Sequence, residues 1–327
     1  MSNNASNTGF QSVLAPFIDR FLQEKHTCGY AYHEPIRILH RFDEFLVREG
    51  LATLELPRSI VRNWLAKKPH ESAATQQQRI TIVRQFTTFL LRAGYPAYVP
   101  DSTLAARNPL IFVPRMLTDK EIRKFFQAVD ALEPTARSPL RHLVMPEVFR
   151  LLYGCGFRVS EVLKLRVRDL DLNQGIITVR QGKFRKDRLV PPALSLVNRL
   201  RKYADHFGSR PPDAIFFPGP SGGPFALRTV YTLFRELLLQ CGIPHAGRGK
   251  GPRIHDYRHL FALHRLRRWY RDGEDLDAKL PLLATYLGHQ HLSGTQRYLH
   301  LTAEIFPEIT ARVNAAFGDV IPRRIQQ

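Results

Sequence analysis

The sequence predicts a mainly helical protein, with an amino-terminal helical domain and a larger, mostly helical domain that holds a small antiparallel β-sheet. Three observations predict this. Apolar residues recur at helical spacing through the first hundred positions, a proline-rich stretch without periodicity follows, and one β-branched hairpin pattern interrupts the helices of the remainder. With 327 residues, 44% of them hydrophobic, the chain can form two cores.

The first hundred residues predict four amphipathic helices. Gly50, Pro57, Pro69 and Gly94 fall between or just after them, where residues that end helices belong. The apolar positions that recur at helical spacing are Phe17, Phe21 and Leu22; Ile38, Phe42, Phe45 and Leu46; Ile60, Trp64 and Leu65; and Ile82, Phe86, Phe89 and Leu90.

A connector is predicted after Gly94, because residues 95–116 contain four prolines and little periodicity. We therefore expect domains at 1–98 and 117–327, joined by a linker at 99–116. Thr118 and Glu121 form the pattern of a capping box, which predicts a helix start there.

The second domain is predicted to contain one hairpin among helices. A β-branched run at 176–179, a basic turn with Gly182 and a second run ending at Pro191 have the pattern of two paired strands. Helical patterns are found at 194–206, 228–240, 255–270, 278–287 and 294–300.

The net charge of +19 makes nucleic acid the leading partner and an anionic membrane surface the weaker one. Residues 1–110 carry 13 Lys and Arg against 9 Asp and Glu, whereas the remainder carries 35 against 20, so most of the excess lies in the second domain. Three distant cysteines argue against a disulfide framework. Because neither a signal peptide nor an eighteen-residue apolar run is recognisable, we expect a cytoplasmic protein without a membrane span.

Four short stretches contain the residue types that phosphate chemistry uses. "YGCGFRVSEVLKL" places Arg158 after two glycines at the start of a helix, and "QGKFRKDRLVP" places Lys183 beside Gly182 at the hairpin tip. "HDYRH" sets His255 and Arg258 three positions apart on one helix face, and "LGHQHLSGTQRY" contains His289 and Tyr298. Each of these residues alone has an ordinary structural explanation.

Metal chemistry is the rival interpretation of the same stretches. His255 and His259 have the spacing of a zinc-protease helix, but Asp256 stands where that motif needs Glu. Asp169, Asp171 and Asp187 have the pattern of turn and cap residues and not of a two-metal nuclease. We therefore predict no metal site.

In this order, over roughly 140 residues, the four stretches resemble the active-site boxes of the tyrosine recombinases, the family of phage integrases and Xer-like proteins. The resemblance implies a SAM-like core-binding domain that clamps DNA, followed by a catalytic domain. It also implies an enzyme that cleaves and rejoins DNA through a 3′-phosphotyrosine, without a cofactor.

The resemblance implies a role for each residue. Tyr298 would be the nucleophile, Arg158 and Arg258 would hold the phosphate oxygens, and Glu161 would orient Arg158. His289 would donate a hydrogen bond to the phosphate, His255 would act as acid or base near the tyrosine, and Lys183 would protonate the leaving 5′ oxygen. Arg185 and Lys186, in the same hairpin, are expected to contact DNA.

The family further implies a homotetramer on two specific DNA sites, with accessory recombinases as partners. A role in a mobile element, by integration or transposition, is the biological setting we expect. Two alternatives stay open at this point. One is a type IB-like DNA topoisomerase, which shares the tyrosine chemistry but acts without a preferred site, and the other is a DNA-binding member of the family without strand exchange.

Overall fold

The computed structural model describes residues 9–105, 114–182, 186–245, 251–291 and 294–295. The chain divides into two compact units, Met1–Phe112 and Val113–Gln327, and each is described by itself. In the described residues, no helix has both the length and the apolar content needed to cross a bilayer.

Four α-helices form the described part of the first unit, residues 9–105, as the sequence predicts. Their apolar faces meet in one core around Phe21, Phe42, Trp64 and Phe86, with aromatic rings in edge-to-face contact. The helices are α1 (Ala15–Thr27), α2 (His33–Arg48), α3 (Arg58–Leu65) and α4 (Ala73–Arg92).

A buried arginine ties α3 to α4. The Arg79 guanidinium forms a two-point ion pair with Glu71 through Nε (2.8 Å) and Nη2 (2.7 Å). It also donates hydrogen bonds to the carbonyl oxygens of Trp64 and Ala66, which have no further helical partner at the end of α3. Arg79, a residue of α4, therefore caps the carboxyl end of α3 and links the two helices.

The second unit has seven helices and one sheet in the part of the chain that is described. The sheet is antiparallel in the order β1–β2–β3, with Ile177 of β2 opposite both Leu170 and Val190. The helices are α5 (Asp119–Asp130), α6 (Arg141–Cys155), α7 (Val159–Leu163), α8 (Leu194–Phe207), α9 (Leu227–Gln240), α10 (Asp256–Arg271) and α11 (Leu276–Leu287). The strands are β1 (Leu170–Asp171), β2 (Ile176–Val179) and β3 (Arg188–Val190).

Helix α6 is the centre of this unit. It packs against α5, α8 and α10, and its residues Val148, Phe149 and Leu152 are almost fully buried. A smaller apolar cluster around Phe261, Leu283 and Leu287 joins α10 to α11. The two clusters hold the start of α7, the start of α10 and the end of α11 close together, and these are the segments that carry the predicted active-site residues.

The predicted fold class is confirmed. The capping box at Thr118 and Glu121 is present, and Asp169, Asp171 and Asp187 cap turns through their carboxylates. Two elements were not predicted. Helix α6 contains Pro146, which reads as a helix breaker, and the two-residue strand β1 is too short for a period-of-two pattern.

Candidate active site

Arg158 is held by the turn between α6 and α7. Gly156 ends α6 with φ +63, and a Cβ atom there would stand 2.8 Å from Cδ1 of Phe261, so the backbone passes where only glycine fits. Arg158 is then the N-cap residue of α7, with a side chain 20% exposed. The tight turn presents its guanidinium at the surface.

Glu161 is hydrogen-bonded to Arg158, the residue that the sequence predicts it to orient. Its Oε1 accepts a 2.6 Å hydrogen bond from Nη1 of Arg158, and its Oε2 accepts one from the Arg158 backbone N–H at 3.0 Å. Burial alone would raise the pKa of Glu161, but the hydrogen bonds and charge of Arg188, together with Arg158, lower it to about 2. The carboxylate is therefore ionised at any working pH.

Arg188 in β3 is a member of this cluster that the sequence analysis missed. Its Nη1 and Nη2 donate to Oε1 and Oε2 of Glu161 at 3.0 and 2.8 Å, and its Nε donates to the carbonyl oxygen of Tyr286 at 2.9 Å. Alternation along a hairpin predicts only that such a residue faces one side of the sheet. No local pattern shows that its partners lie 27 and 98 positions away.

Arg258 lies in the first turn of α10 and is 1% exposed. Its Nη1 donates to the carbonyl oxygen of Gly156 at 2.8 Å, and its Nη2 donates to that of Leu287. Gly156 precedes Arg158 by two residues, and Leu287 precedes His289 by two. Arg258 therefore fixes the backbones beside two other predicted site residues.

His289 follows the left-handed Gly288 at the end of α11, and its backbone N–H donates to the carbonyl oxygen of Ala284 at 2.9 Å. Nδ1 of its ring lies 2.8 Å from Oγ1 of Thr295, which is fully buried. This contact fixes the plane of the imidazole. Thr295 is a second supporting residue that the sequence analysis missed, because a threonine within a helical pattern has many ordinary roles.

His255 is the N-cap residue of α10 and is exposed. Protein packed around the ring, together with the charges of His259 and Arg258, lowers the pKa of His255 to about 4. The imidazole is therefore neutral at pH 7 and able to accept a proton. The His255 and His259 rings meet edge to face with centroids 5.2 Å apart.

The zinc-protease interpretation gains no support from this helix. Asp256, at the position of the motif's glutamate, is 2% exposed and accepts hydrogen bonds from the backbone, Nε and Nη2 of Arg253. Within the described ranges, no group of three His, Cys, Asp or Glu side chains is arranged to hold a metal ion.

Three predicted site residues, Lys183, Arg185 and Tyr298, lie outside the described residues. Lys186 is described and exposed, and its carbonyl oxygen accepts a 3.1 Å hydrogen bond from the Gly182 N–H. The structure thus brings together the segments that carry Arg158, Glu161, Arg258 and His289, with His255 one turn before Arg258.

A groove of about 940 Å³ opens beside Arg158. Its wall includes the basic residues Arg158, Lys164, Arg166, Arg168 and Arg180 and the acidic residues Glu161, Asp169 and Asp187. Asp213, outside the lining, pairs with both Arg166 and Arg168 at 3.2 and 2.6 Å. The groove wall therefore holds five basic and three acidic residues, and Asp213 partly neutralises two of the arginines.

Known proteins match this chain in sequence and in fold. The sequence profile of the "Phage integrase family" matches residues 115–304. The putative integrase/recombinase y4rE of Sinorhizobium fredii is 32% identical over 303 residues, which cover 89% of this chain and 93% of the relative. Tyrosine recombinase XerD of Pseudomonas aeruginosa is 29% identical and covers 91% of this chain and 96% of its own.

A solved lambda integrase tetramer bound to a Holliday junction superposes with a TM-score of 0.63 at 17% identity, over 89% of this chain and 78% of that one. At this identity the likeness is one of fold. The profile and the sequence relatives carry the family relationship.

Proposed function

This chain belongs to the phage integrase family and is a site-specific DNA recombinase, and on that premise we propose that it cleaves and rejoins DNA through a covalent bond to Tyr298. The predicted resemblance is thereby confirmed. The observation that carries the proposal is the placement of Arg258, whose hydrogen bonds to the carbonyl oxygens of Gly156 and Leu287 draw three of the four motifs to one place.

The proposed cleavage step exchanges one phosphate ester for another. The Tyr298 oxygen attacks phosphorus and forms the 3′-phosphotyrosine, while the bond from phosphorus to the 5′ oxygen breaks. A phenol has an ordinary pKa of about 10, so its proton must pass to a base as the bond forms. Rejoining is the reverse step, in which a 5′-hydroxyl of another strand attacks.

Arg158 and Arg258 are proposed to hold the phosphate oxygens, on which negative charge accumulates in the five-coordinate transition state. A guanidinium suits this task because it stays charged and donates parallel hydrogen bonds. Support comes from the fixed position of both groups, Arg158 by Glu161 and Arg258 by two backbone carbonyls.

Proton transfer is proposed to use His255 and Lys183. The pKa of His255, lowered to about 4, leaves its imidazole neutral at pH 7 and able to accept a proton, and also makes it a weaker base than an ordinary histidine. Lys183 would give a proton to the leaving 5′ oxygen, and His289, oriented by Thr295, would donate a hydrogen bond to the phosphate.

The remaining assignments concern assembly. We propose that residues 1–98 form the core-binding clamp, that 99–116 link it to the catalytic domain, and that four protomers act on two DNA sites with accessory recombinases. The excess positive charge of residues 111–327 and the groove beside Arg158 support duplex DNA as the partner, with Arg185 and Lys186 contributing contacts. Mobility of a genetic element is the proposed biological role, and the cytoplasm the proposed location.

The test uses a DNA site selected from random-sequence duplexes by the Tyr298→Phe variant. A nick placed near the cleavage point lets the short 5′-hydroxyl fragment diffuse away, so that the covalent complex accumulates. We expect a covalent complex with the native chain and none with Tyr298→Phe, while both bind the site equally. Relaxation of an arbitrary supercoiled plasmid would favour the topoisomerase alternative, and binding without any adduct would favour the binding-only alternative.

A further inference from the structure

The Arg188 guanidinium joins three segments of the candidate active site. Arg188 belongs to β3, so it is part of the hairpin, and it forms a two-point ion pair with Glu161 of α7 at 2.8 and 3.0 Å. Its Nε also donates to the carbonyl oxygen of Tyr286, near the end of α11. The side chain is 9% exposed.

The space around this guanidinium is closely fitted. A Cβ atom at Gly288 would stand 3.1 Å from Cδ of Arg188, and one at Gly182 would stand 3.3 Å from its Nη1. The Arg188 guanidinium lies over the Phe157 ring, and its central carbon is 5.7 Å from the ring centroid. Contacts on all of these sides leave Arg188 little freedom to move.

Charge gives Arg188 a second effect. Glu161 accepts hydrogen bonds from both Arg158 and Arg188, so these three side chains carry a net charge of +1. Without Arg188, Arg158 and Glu161 would neutralise each other and the carboxylate would compete with a phosphate for Arg158. A shared carboxylate therefore orients Arg158 while the cluster keeps its attraction for an anion.

We propose that Arg188 is a positioning residue for DNA strand cleavage. It fixes the hairpin against α7 and α11 and keeps Arg158 cationic toward the phosphate, without touching the phosphate itself. This inference rests on the proposed function of the same site.

The experiment compares Arg188→Met with Arg199→Met, a matched control. Arg199 also forms a two-point ion pair with a buried carboxylate, that of Glu147, through Nε at 3.2 Å and Nη2 at 2.6 Å. Each variant loses one positive charge and one two-point ion pair to a buried glutamate, and in Arg188→Met the Glu161 carboxylate keeps its hydrogen bonds from Arg158. The measurements are the melting temperature, the Kd for the selected duplex, and the first-order rate of covalent complex formation on the nicked duplex at saturation, from pH 5 to pH 9.

We expect Arg188→Met to melt at a lower temperature than Arg199→Met, because the Arg188 side chain is 9% exposed and that of Arg199 is 45% exposed, and we expect the two variants to bind DNA with similar Kd. Arg188→Met should form the covalent complex on the order of 100-fold more slowly than Arg199→Met, because a misplaced cation loses most of its effect on the transition state. On acidification, the rate of Arg188→Met should begin to fall at a higher pH than the rate of Arg199→Met. The reason is that the pKa of Glu161 rises when Arg188 is removed. Arg188→Lys, which restores the charge but not the fork, should recover part of the rate.

The inference is overturned if Arg188→Met forms the complex at a rate within about threefold of the Arg199→Met rate and with the same pH dependence. A tenfold difference in rate corresponds to about 1.4 kcal/mol, so a threefold difference is too small to assign Arg188 a positioning role. Should either methionine variant fail to fold, Arg188→Lys and Arg199→Lys are compared by the same criterion. Failure of the proposed function looks different, because the native chain itself would then form no complex, or Tyr298→Phe would still form one.

Discussion

Nη1 of Arg258 donates a 2.8 Å hydrogen bond to the carbonyl oxygen of Gly156, a residue 102 positions earlier in the chain. A second N–H of the same guanidinium donates to the carbonyl oxygen of Leu287. A side chain proposed to bind phosphate is thus also a structural link between the ends of α6 and α11. The stability of the fold and the proposed catalysis therefore involve the same group.

Arg258→Lys should therefore destabilise the protein before any DNA is added. A lysine cannot reach both carbonyl oxygens in the fork geometry, so at least one buried acceptor loses its partner, at a cost of about 1–3 kcal/mol. Urea unfolding at pH 7 measures the loss. Arg268→Lys is the control, because Arg268 lies on the same helix with a side chain 72% exposed. Equal unfolding midpoints for the two variants would contradict the link.

Glu161 makes stability depend on pH in a defined direction. The pKa of this carboxyl is about 2 in the folded protein against an ordinary 4.5, so its contribution is present above pH 4.5 and is lost as the pH falls toward 2. The difference corresponds to about 3 kcal/mol at most. Unfolding free energies of the native chain and Glu161→Gln should differ by a constant amount near neutrality and converge in acid. The exposed Glu34→Gln should show little difference at any pH, and a gap at Glu161 that does not change with pH would refute the assignment.

The Tyr257 hydroxyl is buried and has no hydrogen-bond partner among the residues that the structure describes. Removing it in Tyr257→Phe should leave the melting temperature unchanged or raise it, because an unsatisfied polar group is lost. Tyr203→Phe is the contrasting control, since the Tyr203 hydroxyl donates to the carbonyl oxygen of Phe216 at 3.0 Å. That variant should lose about 1–2 kcal/mol. A larger loss for Tyr257→Phe than for Tyr203→Phe would show that Tyr257 has a partner after all.

Thr295 should matter for cleavage more than for DNA binding. Thr295→Val keeps the shape of the side chain but removes the hydroxyl that lies 2.8 Å from Nδ1 of His289. Loss of one orienting hydrogen bond is expected to slow covalent complex formation about tenfold. Thr295→Ser retains the hydroxyl and should restore the rate. Equal rates for the valine and serine variants would remove Thr295 from the account.

Local pattern was enough to predict the four helices of the first unit, the hairpin and the helices of the second unit other than α6. Helical periodicity and helix caps depend on residues a few positions apart in the sequence, as the capping box of Thr118 and Glu121 illustrates. Arg188 and Thr295 were missed for a physical reason. The partners of Arg188 are brought near only by tertiary packing, whereas Thr295 lies six positions from His289 but has no sequence pattern that marks the contact.

The burial of charged side chains was the other property that the sequence did not predict. Arg258 has the pattern of a residue on a polar helix face, yet it is 1% exposed because α6 and α11 close over it. Pro146 is a second case, since proline commonly ends a helix and yet lies inside the buried helix α6. Both cases show tertiary packing overriding a local preference.

The central claim is that the hydroxyl oxygen of Tyr298 becomes bonded to the 3′ phosphate of the cleaved strand. The most direct measurement digests the trapped covalent complex with nuclease and protease and locates the remaining nucleotide by tandem mass spectrometry. The account predicts a nucleotide joined through its 3′ phosphate to Tyr298, and no modified peptide from Tyr298→Phe. A nucleotide on another residue, or one joined through its 5′ phosphate, would contradict it.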